Sequence, residues 1–239
     1  MSKRLAICLG TTRVDPAAYD GWPGTCPGCD RDAARFATLC HDAGFNGVQV
    51  LVNEAAQPRF LKPAFVEASK LLTTGDLLVL YYSGHGGQQW DTSGDEQDAM
   101  DETLCLYSGE LVDDDIARFL CKLRRGVRVL FVTDTCNSGT NFRGRGRVKR
   151  STPVVVRKAP QQFKGSLLHF GGCEDGRSSY GAEDGGVFTN ALLDVMWCHS
   201  RRPLTYADWF DRAAGRMPEY QTPVFSFWGE TGFKVEALT

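Results

Sequence analysis

Two short segments of the chain set a reactive side chain beside backbone that a ligand can approach closely. YYSGHGG, residues 81–87, places His85 between glycines, and FVTDTCNSGT, residues 131–140, places Cys136 fifty-one positions further on. A thiol attacks carbonyl carbon only as its thiolate, so it needs a base nearby, and a departing amine needs an acid. An imidazole with an ordinary pKa of about 6.5 serves both ends of that cycle. The other histidines have plainer settings: His41 closes a helical pattern, His169 sits inside a strand pattern and His199 follows a helix, which suits packing or capping. A cysteine taken alone is more often a small buried hydrophobe than a nucleophile. Of the nine in this sequence, only Cys136 follows an apolar run in the way His85 does.

The elements that must hold these two residues can be read from hydrophobic patterning. Apolar runs at 5–9, 48–52, 77–82, 127–133 and 167–170 have strand length and are too uniformly apolar for one-sided exposure, which predicts buried parallel strands. Helical spacing appears at 31–43, at 62–72 with Pro63 suited to a first turn, at 113–123 with acids at its start, at 187–198 and at 206–214. Alternating strands and helices predict an α/β fold with three layers, α/β/α, around a mostly parallel central sheet. In such sheets ligands gather beyond the carboxyl ends of the strands, where both His85 and Cys136 fall. Residues two apart on a strand share a face, so Asp134 points the same way as Cys136 and Ser83 the same way as His85.

Composition sets the frame. The 239 residues, 42% hydrophobic with 27 basic and 29 acidic side chains, suit a single globular domain over 1–239 with a net charge of −2. No apolar stretch approaches membrane-spanning length and the start MSKRLAICLGTT turns polar early, which predicts a cytoplasmic protein without a membrane partner. An odd number of scattered cysteines suits reduced thiols. Charge is segregated: residues 91–115 hold ten acids and no Lys or Arg, whereas 118–150 hold ten basic residues against Asp134 alone. Residues 141–153, NFRGRGRVKRSTP, read as an exposed loop joining two strands, dividing an N-terminal part, 1–140, from a C-terminal part, 154–239. An Arg/Gly stretch also suits a nucleic-acid-binding module, but it lacks interleaved aromatics and the chain is slightly acidic, which disfavours nucleic acid. Cys26-Pro-Gly-Cys29 supplies only half of a tetrahedral zinc site.

YSGHGG and DTCNSGT resemble the two catalytic boxes of the metacaspase and orthocaspase branch of the caspase-like cysteine peptidases. CDRDA at 29–33, VDDDI at 112–116, FGGCEDGRSS at 170–179 and QTPVFS at 221–226 extend the resemblance in order along nearly the whole chain. It implies a caspase-like fold and a catalytic dyad of His85 and Cys136. It implies an oxyanion hole from the backbone N–H groups of Gly86 and Cys136, and an acidic S1 pocket made of Cys29, Asp32, Ser83 and Asp134. Two carboxylates there favour protein or peptide substrates with Arg, in preference to Lys, at P1. Arg143, Arg145, Arg147, Lys149 and Arg150 then become candidate cleavage points of an activation loop, cut by the enzyme itself or by an upstream protease. The resemblance implies no cofactor for the chemistry, and an activating Ca²⁺ held by Asp101, Asp113 and Asp114. Compact relatives serve stress, cell-death and defence pathways. One departure is Asn137, where the family commonly has His after the nucleophile. The alternative to an active peptidase is a catalytically impaired scaffold of the same fold.

Overall fold

The most apolar runs form the centre of the sheet, because only there are both faces covered. In the computed structural model, which describes residues 2–90, 100–137, 163–173, 181–182, 184–198 and 203–238, strand β1 spans Arg4–Gly10, β2 Gly47–Val52, β3 Leu77–Trp90, β6 Arg128–Asn137 and β7 Ser166–Gly171. These five are mutually parallel in the order β7-β6-β3-β1-β2. An antiparallel strand, β10 (Val224–Trp228), closes the β7 edge. A hairpin of β4 (Met100–Leu106) and β5 (Gly109–Val112) attaches antiparallel to the far end of β3. β8 (Gly181–Ala182) and β9 (Gly185–Gly186) form a separate two-stranded ribbon.

Alternation along the strands builds two cores. Ala6, Cys8, Val79, Tyr81, Leu130, Val132, Leu168 and Phe170 face one way, against α1 (Cys29–Asp42), α4 (Val187–Cys198) and α5 (Tyr206–Ala214). Ile7, Leu9, Leu78, Leu80, Val129, Phe131 and Leu167 face the other way, against α2 (Pro58–Leu71) and α3 (Asp113–Leu120). The expected three-layer, mostly parallel architecture is present. β6 and β7, the strands on either side of 141–153, are neighbours in this one sheet; that loop itself lies outside the described residues. Among the described residues no helix is long and apolar enough to cross a membrane.

Five details differ from the sequence reading. Strand β2 is an edge strand, half-exposed at Val50, because no further strand covers its outer side. The α2 helix begins at Pro58, which takes the first-turn position, and Pro63 lies inside it. β3 does not stop at Tyr82: SGHGG continues as strand, since β6 keeps pairing it as far as Gly86 and β4 takes over from Gly86 to Trp90. Part of the acidic stretch is therefore regular structure, the hairpin β4–β5, and α3 ends at Leu120, three residues early.

Candidate active site

His85 lies where β3 changes its partner on one side. β1 accompanies β3 as far as the Gly10–Ser83 pair and β4 joins at Gly86–Leu104, so on that side Gly84 and His85 have no strand beside them. The chain leaving β1 crosses this gap, with the Thr11 N–H donating to the Ser83 carbonyl at 3.0 Å. Any Cβ at position 84 would collide with Thr11 and the Tyr82 hydroxyl, which explains glycine there. On the opposite side the parallel ladder sets His85 directly against Cys136, and Ser83 against Asp134.

The ring of His85 packs against Trp22 at 4.8 Å between centroids, and its Nε2 lies 3.2 Å from the Thr25 carbonyl oxygen. A carbonyl only accepts, so this contact assigns the proton of the neutral ring to Nε2 and leaves the lone pair on Nδ1. Nδ1 is buried and has no hydrogen-bond partner among the described residues. Burial lowers the pKa of His85 from its ordinary value, opposed by hydrogen bonds to the backbone of Thr25 and Gly24. A neutral imidazole with an uncommitted lone pair is the state a general base requires.

Beside this histidine lies a pair of buried carboxylates. Ser83 and Asp134 share the strand parity of Tyr81 and Val132, and so face α1 and α4. Asp32, in the first turn of α1 and fully buried, accepts at Oδ2 from the Gly186 N–H (2.7 Å) and the Ser83 hydroxyl (3.1 Å). Asp134 accepts at Oδ2 from the N–H (2.9 Å) and hydroxyl (2.8 Å) of Thr189. Thr189 is in the first turn of α4, where N–H groups lack partners within the helix and the dipole favours an anion. Because the Thr189 hydroxyl donates to Asp134, the Tyr81 hydroxyl donates to Thr189 in turn, at 2.7 Å. Side chains at Gly185 or Gly186 would run into Asp32 and Asp134 respectively. Burial, reinforced by the charge of Asp134, pushes the Asp32 carboxyl up to about 6 against the hydrogen bonds from Gly186 and Ser83 and the charge of Arg35. Asp32 Oδ1 is buried and has no hydrogen-bond donor among the described residues. Among the described residues its nearest cation, Arg35, stands 3.8 Å away and is already bonded to Asn190 at 2.6 Å. A buried carboxylate oxygen short of a donor favours a cation beside it.

Cys29 opens α1, three residues before Asp32, and is buried, its thiol donating to the Cys26 sulfur at 2.9 Å. Further along β3, Asp101 pairs across the ladder with Gln89 and meets Asp113 and Asp114 at the start of α3, their oxygens within 4.8 Å of one another. Among the described residues this is the one group of three metal-ligating side chains. Among the described residues no third metal-ligating side chain groups with Cys26 and Cys29.

Residues 5–231 match the caspase domain family. This chain belongs to the caspase-domain family. Metacaspase-3 of Arabidopsis thaliana is 32% identical over 199 residues, covering 74% of this chain and 53% of that protein. Metacaspase-1B of Aspergillus fumigatus is 31% identical over 189 residues, covering 71% and 44%. The chain thus spans about half the length of these curated relatives. A crystal structure of a protein from Geobacter sulfurreducens superimposes with a TM-score of 0.82 at 33% identity, over 98% of this chain and 97% of the other. Caspase-1 from Spodoptera frugiperda, at 14% identity and a TM-score of 0.65 over 94% and 86%, shares the fold.

In this caspase-domain protein the residues singled out from sequence fall into three groups. Cys29, Asp32, Ser83, Asp134 and His85 converge, with Gly86 following His85 and Cys136 placed opposite His85 by backbone register. Asp101, Asp113 and Asp114 gather separately. Arg143, Arg145, Arg147, Lys149 and Arg150, and with them His199, lie outside the described residues. Sequence reasoning missed Thr25, Trp22, Gly186 and Thr189, which anchor the imidazole and the two carboxylates. The available signal was Gly185-Gly186 immediately before a helix whose third residue is Thr189.

The raised carboxyl of Asp32 carries a stability consequence. A carboxyl whose folded pKa exceeds its unfolded value binds protons more readily in the native state, so its ionisation destabilises the fold progressively as pH rises from about 4 to about 6. Asp32→Asn keeps an acceptor for Gly186 and Ser83 and removes the charge. Urea denaturation is expected to show the variant more stable than wild type at pH 7.5, with the difference shrinking toward pH 4; equal stability at both pH values would contradict the assignment.

Proposed function

We propose that the chain is a cysteine endopeptidase that cleaves protein or peptide substrates after Arg, and less readily after Lys, by a dyad of Cys136 and His85. The observation that carries this reading is the β3–β6 register, which pairs His85 with Cys136 and Ser83 with Asp134 beside the buried Asp32. His85 takes the thiol proton at Nδ1, the Cys136 sulfur attacks the scissile carbonyl, and the protonated imidazole passes its proton to the departing amine. The ring then activates water to hydrolyse the thioester. The N–H groups of Gly86 and Cys136 receive the developing oxyanion, and the lack of a side chain at Gly86 favours close approach. A P1 guanidinium entering the hollow supplies donors to Asp32 Oδ1; its planar fork and weaker hydration favour it over the Lys ammonium. Asn137, the residue after the nucleophile, leaves both members of the dyad in place.

Control is part of the same proposal. Cleavage after one of Arg143, Arg145, Arg147, Lys149 or Arg150, by the enzyme itself or by an upstream protease, converts a zymogen into the active form while the shared sheet holds the pieces together. Asp101, Asp113 and Asp114 offer only hard oxygen ligands, which fit Ca²⁺. The cation would supply charge neutralisation that steadies the β4–β5 hairpin flanking His85, without entering the chemistry. A role in cytoplasmic proteolytic signalling, cell death or defence, including antiviral defence, accords with this design.

Fluorogenic peptides differing only at P1 test the reading. Cys136→Ala is expected to abolish cleavage. Asp134→Asn, which keeps the acceptors for Thr189, is expected to lower kcat/KM for the Arg peptide by about 10- to 100-fold, the loss of one charged hydrogen bond. Cleavage that survives Cys136→Ala rejects the dyad, and an unaltered Asp134→Asn rejects the pocket. For the metal, Ca²⁺ is expected to raise the Tm of the wild-type protein and not of Asp114→Asn; equal shifts, or none, dismiss the site.

A further inference from the structure

Cys26 and Cys29 are set for chemistry of their own. Their sulfurs stand 2.9 Å apart, inside the contact distance of two thiols and less than an ångström longer than a disulfide bond of about 2.05 Å. Both are free thiols. Cys29 is the first residue of α1, and Gly28 before it takes a left-handed conformation (φ 90°) that folds the segment back on itself. The two thiols are unequal. Cys26 is partly exposed, and the hydrogen bond it receives from Cys29 lowers its pKa; Cys29 is buried, and its pKa is raised chiefly by that same hydrogen bond, then by burial and by the charge of Cys26. An accessible, acidified sulfur backed by a buried protonated one is the arrangement of a dithiol that attacks and then resolves. A second thiol pair among the described residues, Cys8 and Cys40, is wholly buried in the core, out of reach of an oxidant in solution.

We propose that Cys26 and Cys29 are a reversible redox modification site, closed to a disulfide by a low-molecular-weight disulfide, and that closure weakens the hold of the adjacent acid hollow on a cationic side chain. The consequence for binding rests on the Arg-pocket reading; the sulfur chemistry does not. The Cys26 thiolate attacks one sulfur of the oxidant and expels the other half as a thiolate. Capping Cys26 removes the charge and the hydrogen bond that hold the proton on Cys29. Cys29 then loses its proton to water, its sulfur displaces the second thiolate from Cys26, and the internal bond forms. The two protein thiols give up two electrons, and the oxidant is reduced by the same two electrons to two thiols.

The link to the hollow is geometric. Cys29 is the first residue of α1 and Asp32 stands in the same helical turn, where it accepts from Ser83 at Oδ2. Drawing the Cys29 sulfur into a covalent bond with Cys26 shifts the first turn of α1 and with it the Asp32 carboxylate. The same segment carries Gly24 and Thr25, the backbone partners of His85.

The experiment uses the full chain carrying Cys136→Ala, so that the proposed nucleophile takes no part. After equilibration in glutathione disulfide or in reduced glutathione, peptide mapping reads the 26–29 link and calorimetry reads the affinity for a short peptide amide ending in Arg. A 26–29 link that glutathione reverses is expected, with affinity at least about fivefold weaker in the oxidised form, the worth of one hydrogen bond. Adding Cys26→Ser is expected to remove both the link and the difference between buffers. Absence of the link in glutathione disulfide overturns the modification site, and equal affinity of the linked and reduced forms overturns its coupling to the hollow. A reduced protein that binds no Arg peptide contradicts the pocket reading instead, while the map still scores the link.

Discussion

The parallel pairing of β3 with β6 is the constraint on which the rest depends. Ten consecutive pairs run from Leu77–Arg128 to Gly86–Asn137. Their lower half alternates large apolar residues into two cores, and the upper half carries Ser83, Asp134, His85 and Cys136. A slip of one residue would turn each core residue to the wrong layer, so the hydrophobic alternation of Leu78, Val79, Leu80 and Tyr81 against Val129, Leu130, Phe131 and Val132 enforces the alignment above it. Packing energy deep in the sheet thereby sets the position of groups that contribute little to stability themselves.

Some of those groups work against stability. Two carboxylates are buried side by side, Asp32 with its pKa raised to about 6 and with one oxygen that has no donor among the described residues. The protein offsets this with a helix N-terminus aimed at Asp134 and a glycine pair that lets the backbone approach both acids. The remaining cost of the buried acids is borne by the two cores below.

What was legible in the sequence follows from range. The placing of His85 opposite Cys136 at neighbouring strand ends was legible because apolar runs and glycines are local signals, and Asp32 and Asp134, both buried, lie within short motifs. Thr189 and Gly186 escaped because their contacts join residues 55 and 154 positions apart, which no window of sequence reports. The continuation of β3 through SGHGG was hidden by glycines that ordinarily weaken a strand; here the neighbouring ladders supply what the side chains do not. The β4–β5 hairpin was masked by its acids, although Asp101, Thr103 and Cys105 alternate as a buried face should. The exposure of β2 depends on which strand ends the sheet, a property of topology and not of its own residues.

The central claim is that Cys136, paired with His85 across the ladder and flanked by buried acids, is the nucleophile for a substrate presenting Arg. Labelling the intact protein with a chloromethyl ketone derived from an Arg-ending peptide, and locating the adduct by mass spectrometry, tests this most directly. The account predicts a single thioether on Cys136, absent with the Asp-ending analogue and absent when His85 is replaced by Ala. An adduct on another cysteine, or equal labelling by the Arg and Asp reagents, would contradict it.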